Sequence, residues 1–245
     1  SDSIRIHDKI ASRFFVGVNG SILMTKEASN FNYNFKNDYP WFTISSSKLG
    51  GVTGTPQSMA LSDDANYLFV GTTDGNLYRI SNIAYATDSK TADVGYSLYS
   101  ASAAPVVNPY CVVATSLVNS FEGRIITSIS VNPNNPEMVV VTLGNYGFDD
   151  YLYISTNALS ENPTFTKVYL MTKAPVYSSS FIQGTDISDN VLLIGNDFGV
   201  WKSNDISASN PEWIEENSSL GQVPVFMIKQ QNIQRIFQQA AAQSV

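Results

Sequence analysis

A strand–turn–strand unit written four times constrains this chain more than any other feature. The copies run from Phe14 to Thr25, Tyr67 to Ser81, Val139 to Ser155 and Val191 to Ser203. Each pairs an apolar run closed by glycine (Gly17, Gly71, Gly144 or Gly195) with a polar Asn/Asp/Gly turn. A second β-prone run then ends in Ser or Thr. One such copy cannot bury its own faces, so the copies must stack on one another.

Two further elements recur around each unit. Upstream lies a strand alternating small and apolar residues, centred on Met59, Ile129 and Phe181. It is joined to the apolar run by a tight turn such as Asp63-Asp64-Ala65-Asn66 or Asn132-Pro133-Asn134-Asn135-Pro136, whose residue types suit tight turns. Downstream, a short strand places an aromatic after proline: Pro40-Trp41, Pro163-Thr164-Phe165 and Pro211-Glu212-Trp213. Four strands in a repeated antiparallel meander predict an all-β fold, a β-propeller of four-stranded blades. A β-sandwich would not repeat the same four-part order, and a parallel β-helix would show a shorter period. The strands at Met59, Ile129 and Phe181 are expected to be innermost. The second unit carries an insertion, Ala84 to Val118, expected as an extended loop or extra hairpin.

After the fourth copy, Val225-Phe226-Met227-Ile228 reads as the innermost strand of a fifth blade, and then the pattern stops. Residues 232–245 have helical spacing and helix-forming composition, which predicts a short C-terminal helix. The expected division is therefore propeller over 1–231 and a helical tail, or a segment joined across a gap, over 232–245. A propeller must close its edges, so four blades and a lone strand are expected to be part of a larger ring. The chain starts at Ser1 rather than Met, so an N-terminal segment is expected to have been removed or left out.

Composition excludes several function classes. The net charge is −7 and the 14 basic residues are dispersed, so no stripe is available to follow a phosphate backbone, and nucleic acid is not an expected partner. No apolar run approaches the ~18 residues of a membrane-spanning helix. Cys111 is the only cysteine, read as a small buried hydrophobe, and His7 is the only histidine, read as a strand-edge residue beside Asp8. Neither a zinc site nor another cofactor is expected.

The remaining chemistry lies in turns and loops. Asp74, Asp149, Asp150 and Asp197 fall in the turns between second and third strands, so repetition places them at one rim. Asp74, Asp149 and Asp197 are expected to cap their own hairpins, as Asp commonly does in tight turns. The competing reading makes Asp149, Asp150 and Asp197 the acids of a glycosidase, which needs two carboxylates across a cleft. Calcium at Asp149 and Asp150 suits oxygen-rich loops, but no Asp-x-Asp-x-Asp spacing supports it. The five arginines Arg5, Arg13, Arg79, Arg124 and Arg235 occupy different blade positions, so they are read as exposed rather than as a carboxylate clamp. In the insertion, Tyr96, Tyr99 and Tyr110 are candidates for a partner-binding loop, with folding back onto the blade as the alternative.

The turns Ser155-Thr156-Asn157 leading to Phe165 and Ser203-Asn204-Asp205 leading to Trp213 resemble degenerate Asp-boxes of sialidase-like, sortilin-like and xyloglucanase-like propellers. Both lack the Asp-box glycine, one has Asn for Asp, and the spacing to the aromatic is stretched. The segments Arg13–Gly17, Gly123–Ile129 and Val223–Ile228 are similar to propellers of Bacteroidota cell-envelope proteins, often linked to type IX secretion and gliding. That resemblance implies an extracytoplasmic home and a non-catalytic scaffold role with protein partners. A secreted Asp-box glycoside hydrolase or glycan-binding propeller is the alternative.

Overall fold

A computed structural model describes residues 13–18, 20–26, 28, 41–47, 50–86, 113–184 and 187–230. Sheet one contains β1 (Phe14–Val18), β2 (Ser21–Thr25) and β3 (Trp41–Ser46). Sheet two contains β4 (Pro56–Leu61), β5 (Leu68–Thr72), β6 (Asn76–Ser81) and β7 (Ala114–Ser120). Sheet three contains β8 (Ile126–Val131), β9 (Val139–Leu143), β10 (Leu152–Ser155) and β11 (Thr166–Lys167). Sheet four contains β12 (Val176–Phe181), β13 (Leu192–Asn196), β14 (Gly199–Ser203) and β15 (Ile214–Glu215). Each sheet is an antiparallel meander in chain order, and the fold is a β-propeller.

The apolar runs have no polar alternation because the second strands are buried on both faces. In β5, Leu68 and Val70 pack toward sheet one with Phe15, Ile22, Met24 and Ile44. Phe69, between them, packs toward sheet three with Ile129, Val139 and Val141. In β9 the split repeats: Val140 joins Val176, Leu192 and Ile194 of sheet four. Period-two geometry thus supplies two cores from one continuous run.

The strands at Met59, Ile129 and Phe181 are the first of their sheets, and they meet across the blade junctions. Their small residues bond to the next first strand. Ser58 Oγ donates to Ile126 O at 3.0 Å, Ser130 Oγ to Ser179 O at 2.9 Å, and Thr127 Oγ1 to Val176 O. All three carry a register shift at the same place, between Pro56 and Ser58, Ile126 and Ser128, and Val176 and Ser178. The extra residue is Gln57, Thr127 or Tyr177. Such a bulge re-aims the side chain of the residue it frees.

Glycine at the junctions admits close approach. A Cβ on Gly17 would lie 2.7 Å from Pro56 Cβ, and one on Gly71 2.7 Å from Ile126 Cβ. A Cβ on Gly195 would lie 2.6 Å from Val225 O. Residues 222–230 therefore occupy the seat of a fifth first strand, although they form no strand ladder. Val225 N donates to Asn196 O at 2.9 Å and Ile228 N to Ser178 Oγ at 3.0 Å. In sheet three the matching position is Thr142, not Gly144, because Thr142 pairs with Ser128 as Gly71 pairs with Ser58. Its hydroxyl lies 2.9 Å from Thr127 Oγ1, so a hydrogen bond between side chains replaces close approach.

Several expectations need correction. Part of the segment assigned to the insertion is the regular fourth strand β7, which starts at Ala114. Arg13, Arg79 and Arg124 are buried, at 3%, 9% and 4% exposure, rather than exposed. Arg13 donates to Ala65 O at 3.1 Å, and Arg79 donates to Ala158 O at 2.6 Å and Ser160 O at 2.9 Å. These two act as struts from one blade to turn carbonyls of the next. The proposed helix at 232–245, together with His7, Cys111, Tyr96, Tyr99, Tyr110, Arg5 and Arg235, lies outside the described residues.

Candidate functional site

The turns between second and third strands hold all four acids singled out in the sequence, and each blade treats its acid differently. In blade two the Asp74 carboxylate accepts hydrogen bonds from Thr72 Oγ1 and, at 3.2 Å, from Asn76 Nδ2. It braces its own hairpin. Gly54 faces it so closely that a Cβ would lie 2.7 Å from Asp74 Oδ1.

In blade three the turn is longer. Asp149 does not cap its hairpin: it pairs at 2.7 Å with Lys173, both side chains exposed, and the lysine holds its carboxyl below the usual range. That direction is opposite to what a general acid needs. Asp150 lies 3.7 Å from the buried Arg124 and accepts a hydrogen bond from Tyr153 OH. Arg124 also donates to Asp150 O and, at 3.3 Å, to Gly144 O. Its guanidinium lies 4.0 Å from the centre of the Phe148 ring and 4.9 Å from that of Tyr151. A cation, two rings and a carboxylate thus close this turn from within. Burial, followed by the hydrogen bond to Asp150 and its charge, pushes the Tyr153 phenol up to about 12, so it stays a donor at neutral pH.

Blade four differs again. Its hairpin is capped by amides: Asn196 Oδ1 accepts from Phe198 N at 2.9 Å, and Asn217 Oδ1 accepts from Val200 N at 2.7 Å. Asp197 does not perform that task, since asparagines on either side of it in sequence already do. Its carboxylate accepts from Tyr146 OH at 2.7 Å and from Tyr177 OH at 2.8 Å. The two phenol oxygens are themselves 2.9 Å apart. Three oxygen–oxygen contacts share two phenol protons, which leaves the corner short of donors. Burial, then the bonds to Tyr146 and Asp197, pushes the Tyr177 phenol upward.

The corner has aromatic walls. The Tyr177 and Phe226 rings are 4.7 Å apart and tilted by 40°. Tyr146 is 68% exposed and Phe226 67%, with Phe148, Phe198 and Met227 also exposed. Tyr177 occupies the bulge position of its first strand, and the bulge turns it to the rim that carries Asp197, where Phe226 packs on it. No sequence signal marks Tyr146 as part of the site. Tyr177 had one: it is the aromatic where the other first strands place Gln57 and Thr127.

Among the described residues, no group of three or more His, Cys, Asp or Glu side chains is gathered as a metal site would require. No described helix is long and apolar enough to cross a membrane. No family model matches the sequence, and no curated protein matches it significantly. The fold is similar to the β-propeller domain of Cps50 (Swd1) from Myceliophteria thermophila, with a TM-score of 0.55 at 11% identity. That match covers 91% of this chain and 56% of the other, so this chain spans about half the length of its structural relative. A Niastella koreensis GH74 enzyme also matches, at 14% identity and a TM-score of 0.49, covering 84% of this chain and 29% of that one.

Proposed function

We propose that this propeller is a non-catalytic interaction module of an extracytoplasmic bacterial envelope assembly, docking a protein partner on the rim of blades three and four. The observation that carries the reading is the exposed aromatic corner around Asp197. Exposed aromatic patches mark interaction surfaces, and tyrosine is among the residues that concentrate in the energetic centres of interfaces. The envelope setting, with its type IX secretion or gliding association, rests on the resemblance of Arg13–Gly17, Gly123–Ile129 and Val223–Ile228 to Bacteroidota propellers. The Asp-box-like reading is supported by turn chemistry: Asn157 Oδ1 accepts from Thr164 N at 2.9 Å, and Asp205 Oδ1 from Ser207 N at 3.0 Å.

The second reading, a secreted Asp-box glycoside hydrolase or glycan-binding propeller, draws on the same corner, since exposed rings beside a carboxylate also suit a sugar. Capture from a native envelope fraction separates the two. The wild-type protein should retain a defined protein partner that the double variant Tyr146→Ser/Phe226→Ser loses. Hydrolysis of a polysaccharide panel by the purified protein, abolished by Asp197→Asn, would overturn the module reading.

A further inference from the structure

Blades three and four solve the same problem in different ways. In blade three the turn acid Asp150 meets a guanidinium from its own blade, and two aromatic rings flank that cation. Arg124 lies two residues before Ile126, which opens the first strand. In blade four the first strand opens at Val176, and the residue two before it is Ala174, buried and without charge. The turn acid Asp197 has aromatic neighbours and two phenol donors but no cation among the described residues. The nearby lysine of this rim, Lys173, is already paired with Asp149.

From this we infer that the corner of Tyr146, Tyr177, Asp197 and Phe226 binds an arginine side chain of the docking protein. Three features converge. The oxygen cluster lacks a donor, and a guanidinium brings five N–H groups and no acceptor. The carboxylate accepts from phenols only, which supply hydrogen bonds without neutralising its charge. Phe226 packs on Tyr177, whose hydroxyl meets the carboxylate, and aromatic rings of this kind attract a weakly hydrated planar cation. A chain of net charge −7 favours a basic partner segment over an acidic one. The inference rests on the protein-docking reading of this rim and names the chemistry that the rim selects.

The test uses isotope-labelled protein and two probes, acetyl-Gly-Arg-Gly-Arg-Gly-amide and the same peptide with citrulline in place of both arginines. Citrulline keeps the shape and removes the charge. The arginine peptide should shift the resonances of Tyr146, Tyr177 and Phe226 and bind about tenfold more tightly than the citrulline peptide. Asp197→Asn should remove that difference. Phe226→Ser, at an exposed position, should reduce it even if Asp197→Asn folds poorly. The double variant Asp149→Asn/Lys173→Gln, which removes the neighbouring ion pair whole, should leave it unchanged. Equal binding of both peptides, full binding by Asp197→Asn, or an equal loss in Asp149→Asn/Lys173→Gln would overturn the inference. So would cellohexaose shifting the same rings when the arginine peptide does not. The docking reading fails separately. If Asp197→Asn keeps a partner that Tyr146→Ser/Phe226→Ser loses, docking stands and the arginine falls. If the double variant keeps the partner while the peptide result holds, the arginine site stands and docking lies elsewhere.

Discussion

Arg124 shows how much a single strand-entry side chain can organise. It is 4% exposed, yet it reaches a carboxylate, two carbonyls and two ring faces in one turn. Arg124→Ala should cost about 3 kcal/mol in denaturant unfolding, because the Asp150 carboxylate loses its counter-charge and the carbonyls of Asp150 and Gly144 lose their donor together. Tyr153 contributes at the same place with a pH signature. Its folded-state value is raised, so its stabilisation is complete below the unfolded value of about 10 and is lost as pH rises through about 12. The melting-temperature advantage of the wild type over Tyr153→Phe should be flat up to about pH 10 and shrink toward pH 12. None of this was legible from residue types. An arginine in a strand reads as solvated because its partners are backbone carbonyls far away in sequence. Ala65 O serves Arg13 in this way, and Ala158 O serves Arg79. Asp197 misleads for a related reason: the amides that cap its hairpin, Asn196 and Asn217, leave its carboxylate to tyrosines from other segments.

At the scale of the strand, the unit of construction is a bulged first strand seated over a glycine of the preceding blade. Gly71→Ala should destabilise the protein by about 2 kcal/mol, since the new methyl meets Ile126 and Ser58 with no room to shift. The matching change Gly195→Ala should act locally. Its methyl would press on Val225 O, so residues 222–230 should become readily cleaved by protease while the melting temperature moves less than in Gly71→Ala. Strand positions were legible because the period-two pattern and turn residues recur in every blade. Two details were hidden. The third seat holds Thr142 rather than a glycine, a swap that works only because Thr127 lies opposite to take its hydroxyl. The bulges sit ahead of the alternating run, so the aromatic at Tyr177 stands out in the sequence while its turn toward the rim does not.

For the molecule as a whole, repetition made the architecture readable, whereas the aromatic corner is assembled from the long turn of blade three, the bulge and hairpin turn of blade four and the segment after it. No contiguous motif spells it. If a basic partner docks there, its association rate should fall steeply between low salt and about 0.15 M ionic strength, where charges more than about 8 Å apart are screened. The alternation of cores has a further consequence. Each described core lies between consecutive sheets, so the free energy behaves as a chain of nearest-neighbour couplings rather than as one shared interior. A defect between sheets two and three separates the described sheets into two pairs. A defect at Gly195 loosens only the seat of residues 222–230. Equal losses of contact would therefore give unequal losses of cooperativity. The breadth of the melting transition, rather than its midpoint, would then report which coupling had failed.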